Sequence, residues 1–234
     1  MTADREHRVT RAVFVLSSLV TVVLFATPSL HSLAYPLLLL STLVHEMGHG
    51  VAALFVGGSF VSFELWSDGS GVGHTTGGNS RLASAIVAAG GLVGPSIAAA
   101  ISFLAGRRPG PARAFLAVLC IGLVCALVLV VRNPFGWVFV GGFALCLAAL
   151  VLKASPRASQ IVLVFLGTQL ALSVYSRGDY LFTASAQTAG GSMPSDVALI
   201  SQALLLPYWF WGLVCGAVSI AALLVGVRTL WKEG

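Results

Sequence analysis

Residues Tyr35 to Val56 read YPLLLLSTLVHEMGHGVAALFV, a run long enough to cross a lipid bilayer, which takes roughly 17–25 mainly apolar residues. Its middle carries His45-Glu46-Met47-Gly48-His49. Histidines at i and i+4 project from the same face of a helix, about 5–6 Å apart at Cβ. Both imidazoles can then reach one Zn²⁺ at about 2.0–2.1 Å. Glu46 falls to one side of that pair, where it can face water at the metal without binding the metal itself. Three ionisable side chains in one apolar turn are costly, about 2.5–3.5 kcal/mol for each charged residue on insertion scales. The alternative reading is a satisfied polar cluster that packs helices together. A shuffled chain of this composition would produce HExxH on the order of once in several hundred attempts, so function is the stronger reading.

The rest of the chain agrees with a membrane setting. Of 234 residues, 57% are hydrophobic and 9% charged, and mean hydropathy is +0.95. A soluble domain is about a quarter charged, so a water-soluble globule is excluded. The net charge of +5 does not indicate nucleic acid, because most Lys and Arg flank apolar runs, where they face lipid headgroups. Cys120, Cys125, Cys146 and Cys215 lie inside apolar runs without CxxC spacing and read as inert buried thiols.

Further apolar runs cover 12–30, 82–105, 112–131, 135–152 and, more briefly, 161–175; the last, 197–227, is broken by Pro207. The fold class is therefore an all-α polytopic membrane protein with six or seven transmembrane helices in a single domain, 1–234. Residues 1–11 form a basic tail, and 35–56 is the motif helix. Phe60 to Trp66 alternates like a strand, Ser67-Asp68-Gly69-Ser70-Gly71 supplies a turn, and Val72 to Thr76 returns. A β-hairpin over 59–77 is expected directly after the motif helix. Residues 177–196 form a polar, Gly-rich loop. Arg5, Arg8 and Arg11 put the N-terminus in the cytoplasm by the positive-inside bias. Simple alternation from there places Arg107, Arg108 and Arg113 on the opposite side, so one segment is miscounted or re-entrant.

Catalytic zinc takes three protein ligands and leaves one position open. Aspartates are few: Asp4 in the tail, Asp68 in the turn, Asp179 and Asp196 late in the chain. Asp196, which opens an apolar run, is favoured as the third ligand, although Ser195 and Asp196 also suit a helix N-cap. Asp179 is the second candidate; Glu64 and His74 belong to the hairpin near the site.

HExxH within a spanning helix of a small polytopic chain resembles the site-2 protease family of intramembrane zinc metallopeptidases, in its compact bacterial branch. Gly57-Gly58 after the motif helix, the stretch Ala88 to Pro95 (AAGGLVGP), and Ser195-Asp196 before a Trp-rich closing helix are similar to features of that family. Together they cover most of 35–227. The late aspartate precedes Val197 here, where better-known members carry glycine.

The resemblance implies Zn²⁺ held by His45, His49 and Asp196, with Glu46 as general base. It implies an oxyanion-stabilising role for Asn133, which otherwise reads as a turn residue before Pro134. It also implies substrates that are single spanning segments of membrane proteins, and a multi-pass location in a bacterial cell membrane. A substrate helix hides its peptide bonds, so it must unwind, and an unwound strand could add to the hairpin edge. The competing readings are a membrane metal-ion transporter and a non-proteolytic, helix-binding scaffold. Nothing in the sequence speaks to oligomeric state.

Overall fold

Proline punctuates this chain. Pro109, Pro134 and Pro156 each open a helix, where a missing N–H costs nothing and φ is already set. In the computed structural model, which describes residues 3–77, 80–176 and 178–231, eight α-helices appear: α1 Ala3–Ala26, α2 His31–Phe55, α3 Arg81–Ala105, α4 Pro109–Leu129, α5 Pro134–Lys153, α6 Pro156–Ser176, α7 Asp196–Leu204 and α8 Tyr208–Trp231. The side chains of 3–7 and 174–179 lie outside the described residues. The expected basic tail is thus helical from Ala3, and the break expected at Pro207 separates α7 from α8. Among the described residues, six helices (α1 to α5 and α8) are long and apolar enough to cross a membrane.

Helix α6 is not one of the six. It buries Ser159, Gln160, Thr168 and Gln169, and these polar side chains tie it to its neighbours. The Gln160 amide donates to the Thr10 hydroxyl and to the Gly106 carbonyl, both at 2.9 Å. Gln169 donates to the Thr21 hydroxyl one span further along. Buried amides of this kind are tolerated when paired, and here they set direction: α1 and α6 run side by side in the same sense.

Helix α3 lies at the centre, against α2, α6, α7 and α8. Its approach to α2 depends on glycine. A Cβ at Gly48 would lie 2.3 Å from the Gly90 carbonyl oxygen, and one at Gly94 would lie 3.2 Å from the Gly48 Cα. Small residues of this kind let helix backbones touch where no side chain could fit. Val44 meets Gly94, and Ala52 meets Gly90, so α2 and α3 are antiparallel. The Gly167 backbone faces Ser102 and Phe103 while Gln160 meets Gly106, so α6 is antiparallel to α3 as well. Helices α1, α2 and α6 therefore share one direction. Two consecutive helices running the same way, joined only by a short link with a 3-10 turn at Pro28–Leu30, account for the failure of simple alternation in the sequence.

The hairpin follows α2 directly, with β1 Ser59–Leu65 antiparallel to β2 Gly71–Thr76 and a bulge between Phe60 and Ser62. Its turn is closed by Asp68, whose carboxylate accepts the Ser70 hydroxyl at 2.6 Å and the Ser70 N–H at 2.9 Å. Those bonds hold the Asp68 carboxyl below its ordinary pKa. The outer edge of β1 is covered: Phe63 donates to Val130 O at 2.7 Å and accepts from Arg132 N–H at 3.0 Å. Gly73 pairs opposite Phe63. Since the backbone groups of Phe63 point away from β2, those of Gly73, Gly71 and Thr75 point away from β1. A second hairpin, β3 Ser185–Thr188 with β4 Gly191–Pro194, occupies the segment that the sequence suggested was loop. The two hairpins touch where the Ser70 hydroxyl accepts the Ala189 N–H at 3.1 Å.

Gly48→Ala is expected to force α2 from α3 and cost about 1–3 kcal/mol, read as a lower Tm in detergent. Gly122→Ala, at a position with nothing within 4 Å of the new Cβ, should leave Tm unchanged or raise it slightly.

Candidate functional site

One turn of α2 and the first residue of α7 meet at the base of a cleft. His45 Nε2 and His49 Nε2 lie 3.2 Å apart, with their rings edge to face at 4.8 Å between centroids. Asp196 reaches both: Oδ2 is 3.0 Å from His45 Nε2 and Oδ1 is 3.3 Å from His49 Nε2. Each element explains its side chain. The helical i, i+4 spacing stacks the two imidazoles. Ser195 caps α7, accepting the Ala198 N–H at 3.3 Å while donating to the Thr183 carbonyl at 2.5 Å. That cap fixes the first helical residue, Asp196, in the turn where a helix favours negative charge.

His49 Nδ1 lies 2.8 Å from the Val87 carbonyl, an acceptor only, so in a neutral ring the proton sits on Nδ1 and the Nε2 lone pair faces inward. Asp196 Oδ2 is buried, with His45 Nε2 at 3.0 Å beside it. The His49 Nε2 lone pair and both Asp196 oxygens therefore converge on His45 Nε2, which joins them as a further acceptor when its ring carries its proton on Nδ1. Two ligands about 2.0–2.1 Å from one ion at the tetrahedral angle are roughly 3.3 Å apart, close to the 3.2 Å between the imidazole nitrogens and to the 3.0 and 3.3 Å that Asp196 makes with a different oxygen toward each ring. A small divalent cation with tetrahedral preference fits this donor set. Among the described residues, His45, His49 and Asp196 are the group that could hold a metal, with one ligand atom from each lying within 4.8 Å of the others.

Glu46 lies beside the trio and outside it. Its Oε2 accepts the Gly73 N–H at 2.7 Å, so the outward edge of β2 orients the carboxylate. Glu46, Gly73, Thr75, Tyr180, Met193 and Arg81 help to line a cleft of about 730 Å³ whose floor is the three-residue cluster. Tyr180 packs edge-on against His45, 5.9 Å between ring centroids.

Of the other sequence candidates, Glu64 and His74 sit on the hairpin, outside the cluster. The side chain of Asp179 lies outside the described residues. Asn133 is placed elsewhere, and its catalytic reading is not supported by this position. It caps α5, accepting Gly136 N–H at 3.3 Å, and clamps Leu65 with both amide atoms, Leu65 N–H donating to Oδ1 at 3.2 Å and Nδ2 donating to Leu65 O at 2.5 Å. With its hydrogen bonds used, the side chain holds the hairpin to the α4–α5 turn and does not line the cleft. Sequence reasoning missed the Gly73 amide and the Val87 carbonyl, because a backbone group carries no residue-type signal.

A family model described as Peptidase M50B-like matches residues 15–226. The chain belongs to that peptidase family. The site-2 protease resemblance read from HExxH is thereby borne out, and the six apolar helices make this M50B-like chain an integral membrane protein. Neither the curated proteins nor the solved structures compared with it give a match.

Asn133→Ala is expected to cost about 0.5–2 kcal/mol through the lost cap, seen as a lower Tm, with metal content unchanged. Loss of activity at unchanged Tm and metal content would return Asn133 to the catalytic machinery.

Proposed function

We propose that this protein is an intramembrane zinc metallopeptidase that hydrolyses peptide bonds in or near the transmembrane segments of membrane proteins. The observation that carries this reading is the convergence of two imidazoles and one carboxylate beside a separate carboxylate at the floor of a cleft. Membership of a peptidase family supports the reaction class.

His45, His49 and Asp196 would hold the ion. When bound, zinc supplies Lewis acidity, polarising a carbonyl oxygen and acidifying neighbouring water. Glu46 accepts a proton from the attacking water at its carboxylate and returns it to the leaving amine nitrogen, so it ends the cycle as it began. Val87 keeps the His49 ring in the tautomer that presents Nε2. Gly73 holds Glu46 toward the cleft and away from lipid.

The edge of β2 offers a place for substrate. With the outer side of β1 covered by Val130 to Arg132, the outward backbone groups of β2 belong to Gly71, Thr75 and Gly73, the last with its N–H given to Glu46, and these residues line the same cleft. An unwound segment pairing with that edge lays its carbonyls beside Glu46. The strand to break is therefore β2: a proline at Phe63 would first sever the bond to Val130.

Glu46→Gln is expected to retain metal while cleavage of a spanning-segment reporter falls by at least about 100-fold; metal analysis and fragment quantitation on the same preparation check both. Cleavage that survives removes Glu46 as the base, and metal flux with intact reporter would favour a transporter. Thr75→Pro, which deletes an outward N–H from an edge strand, should reduce cleavage while leaving metal stoichiometry alone.

A further inference from the structure

Away from the metal cluster the cleft changes character. Beside the cluster its α3 wall is Val87 and Ala88; nearer the start of the helix it becomes Ser84, Arg81 and Ser80. Gln202 of α7 lines the same polar stretch. Local bonds order this end. Ser80 caps α3, accepting the Ala83 N–H at 3.1 Å, and Arg81 Nη2 donates to the Gln202 carbonyl at 3.3 Å. An exposed guanidinium thus stands between α3 and α7 at one end of the cleft.

Among the described residues that line the cleft, Arg81 is the one Lys or Arg. The carboxylates that share the cleft are engaged elsewhere, Glu46 by the Gly73 N–H and Asp196 by the two imidazoles. The partner of Arg81 is neutral. A carbonyl takes up one of the five N–H donors of a guanidinium and leaves its charge without an offset. A planar fork of donors of this kind suits a carboxylate, which it can bind through two parallel bonds.

The neighbouring elements set how far this charge lies from the chemistry. From Val87, whose carbonyl meets His49, back to Arg81 is roughly 9 Å along α3 at about 1.5 Å per residue. The edge of β2 runs the same way, since Gly77 meets Gly58 just past the end of α2, and α3 is antiparallel to α2. From Gly73, which meets Glu46, to Gly77 is roughly 13 Å at about 3.3 Å per residue. A chain paired with β2 and cut beside Gly73 therefore passes Arg81 about three or four residues from the cut. Successive side chains of a strand point to opposite faces, so one of those two positions faces the guanidinium.

We propose that Arg81 is a specificity residue, which recognises an Asp or Glu side chain of the substrate about three or four residues from the cut. The inference deepens the proposed peptidase reading and rests on it. A substrate carboxylate suits this place better than a lipid phosphate does, because Gln202 holds the guanidinium across the cleft, in line with the strand edge that a paired chain follows. The effect is a bias laid over a register that the backbone sets, since exposed ion pairs are weak. The side of the cut on which the acidic residue falls reports strand sense, N-terminal for a substrate antiparallel to β2 and C-terminal for a parallel one.

Reporter segments that carry Glu, Gln or Lys at each position in turn test the proposal. Binding is read first, by fluorescence anisotropy in nanodiscs of neutral phosphatidylcholine, on the full chain carrying Glu46→Gln so that nothing is turned over. At one position Glu should bind about three- to tenfold tighter than Lys, attraction in one case and repulsion in the other, with Gln between. Adding Arg81→Glu should invert that order and Arg81→Gln should flatten it, with metal content and binding of the all-Gln reporter unchanged. Equal weakening of every reporter by Arg81→Glu would make Arg81 a structural tie to Gln202 and overturn the proposal. Absent or charge-indifferent binding overturns it too, as does a preference that follows anionic lipid added to the nanodisc and not the reporter residue. Cleavage by the unsubstituted chain separates the two readings: charge-selective binding without cleavage removes the peptidase and keeps Arg81, whereas cleavage indifferent to charge does the reverse.

Discussion

Two imidazole nitrogens and a carboxylate, mutually within 3.0–3.3 Å, have more lone pairs than protons between them, and they lie among apolar helices. Removing one partner from a buried charged group leaves the remainder uncompensated, at a cost of several kcal/mol. A chain can tolerate such a cluster only if every neighbouring element fixes it. Helix α7 exists in this light to deliver one carboxylate. It is a short helix whose cap, Ser195, is itself anchored to Thr183, so that Asp196 arrives with little freedom. On the other side the Val87 carbonyl, from the middle of α3, holds the His49 ring. The cluster is therefore braced by α2, α3 and α7 together, and the α2–α3 spacing becomes critical.

That spacing explains the glycines. Gly48 lies inside HExxH and would be a free choice if the motif had only to supply ligands. A Cβ there would instead run into Gly90 and Gly91, and Gly94 faces its Cα, an approach that lets the Val87 carbonyl reach His49. A side chain at Gly91 would enter the His49 ring, 2.3 Å from Nε2. The proposed metal cluster and the helix packing thus share residues, and a change at Gly48 would disturb both.

Much of this was legible in the sequence, and what was missed has physical reasons. HExxH needed only helical periodicity to be read, and the hairpin announced itself by alternation and Asp68-Gly69. The six spans found lie within the six or seven expected, and the margin came from α6, since Gln160, Thr168 and Gln169 lower its hydropathy for the same reason that they hold it in place. The relative sense of the helices was hidden because sequence gives the ends of helices but not their mutual direction. That information resides in contacts such as Gln160 with Gly106, 54 residues apart. Asn133 is ambiguous for a related reason: its residue type suits an oxyanion hole and a helix cap equally, and its bonds to Leu65 and Gly136 are those of a cap and clamp. The second hairpin was read as loop because Ser185 to Pro194 lacks apolar alternation; its short strands are largely solvent-facing.

Under the proposed function, the link between Gly73 and Glu46 joins substrate capture to chemistry. An edge strand in an apolar setting leaves backbone donors and acceptors unpaired, each costly without water or a partner. Here one of those donors is satisfied by the carboxylate assigned to proton transfer. An arriving peptide would find the Gly71 and Thr75 groups open and the Gly73 N–H taken. Its pairing therefore has to straddle Gly73 in register, or displace Glu46 from it. In either case the residue of the substrate lying opposite Gly73 is the one brought beside the carboxylate. The position of the cut would then follow from strand register, which backbone hydrogen bonds set independently of side-chain identity. A protease built this way needs a segment that can unwind across the cleft more than it needs a particular sequence.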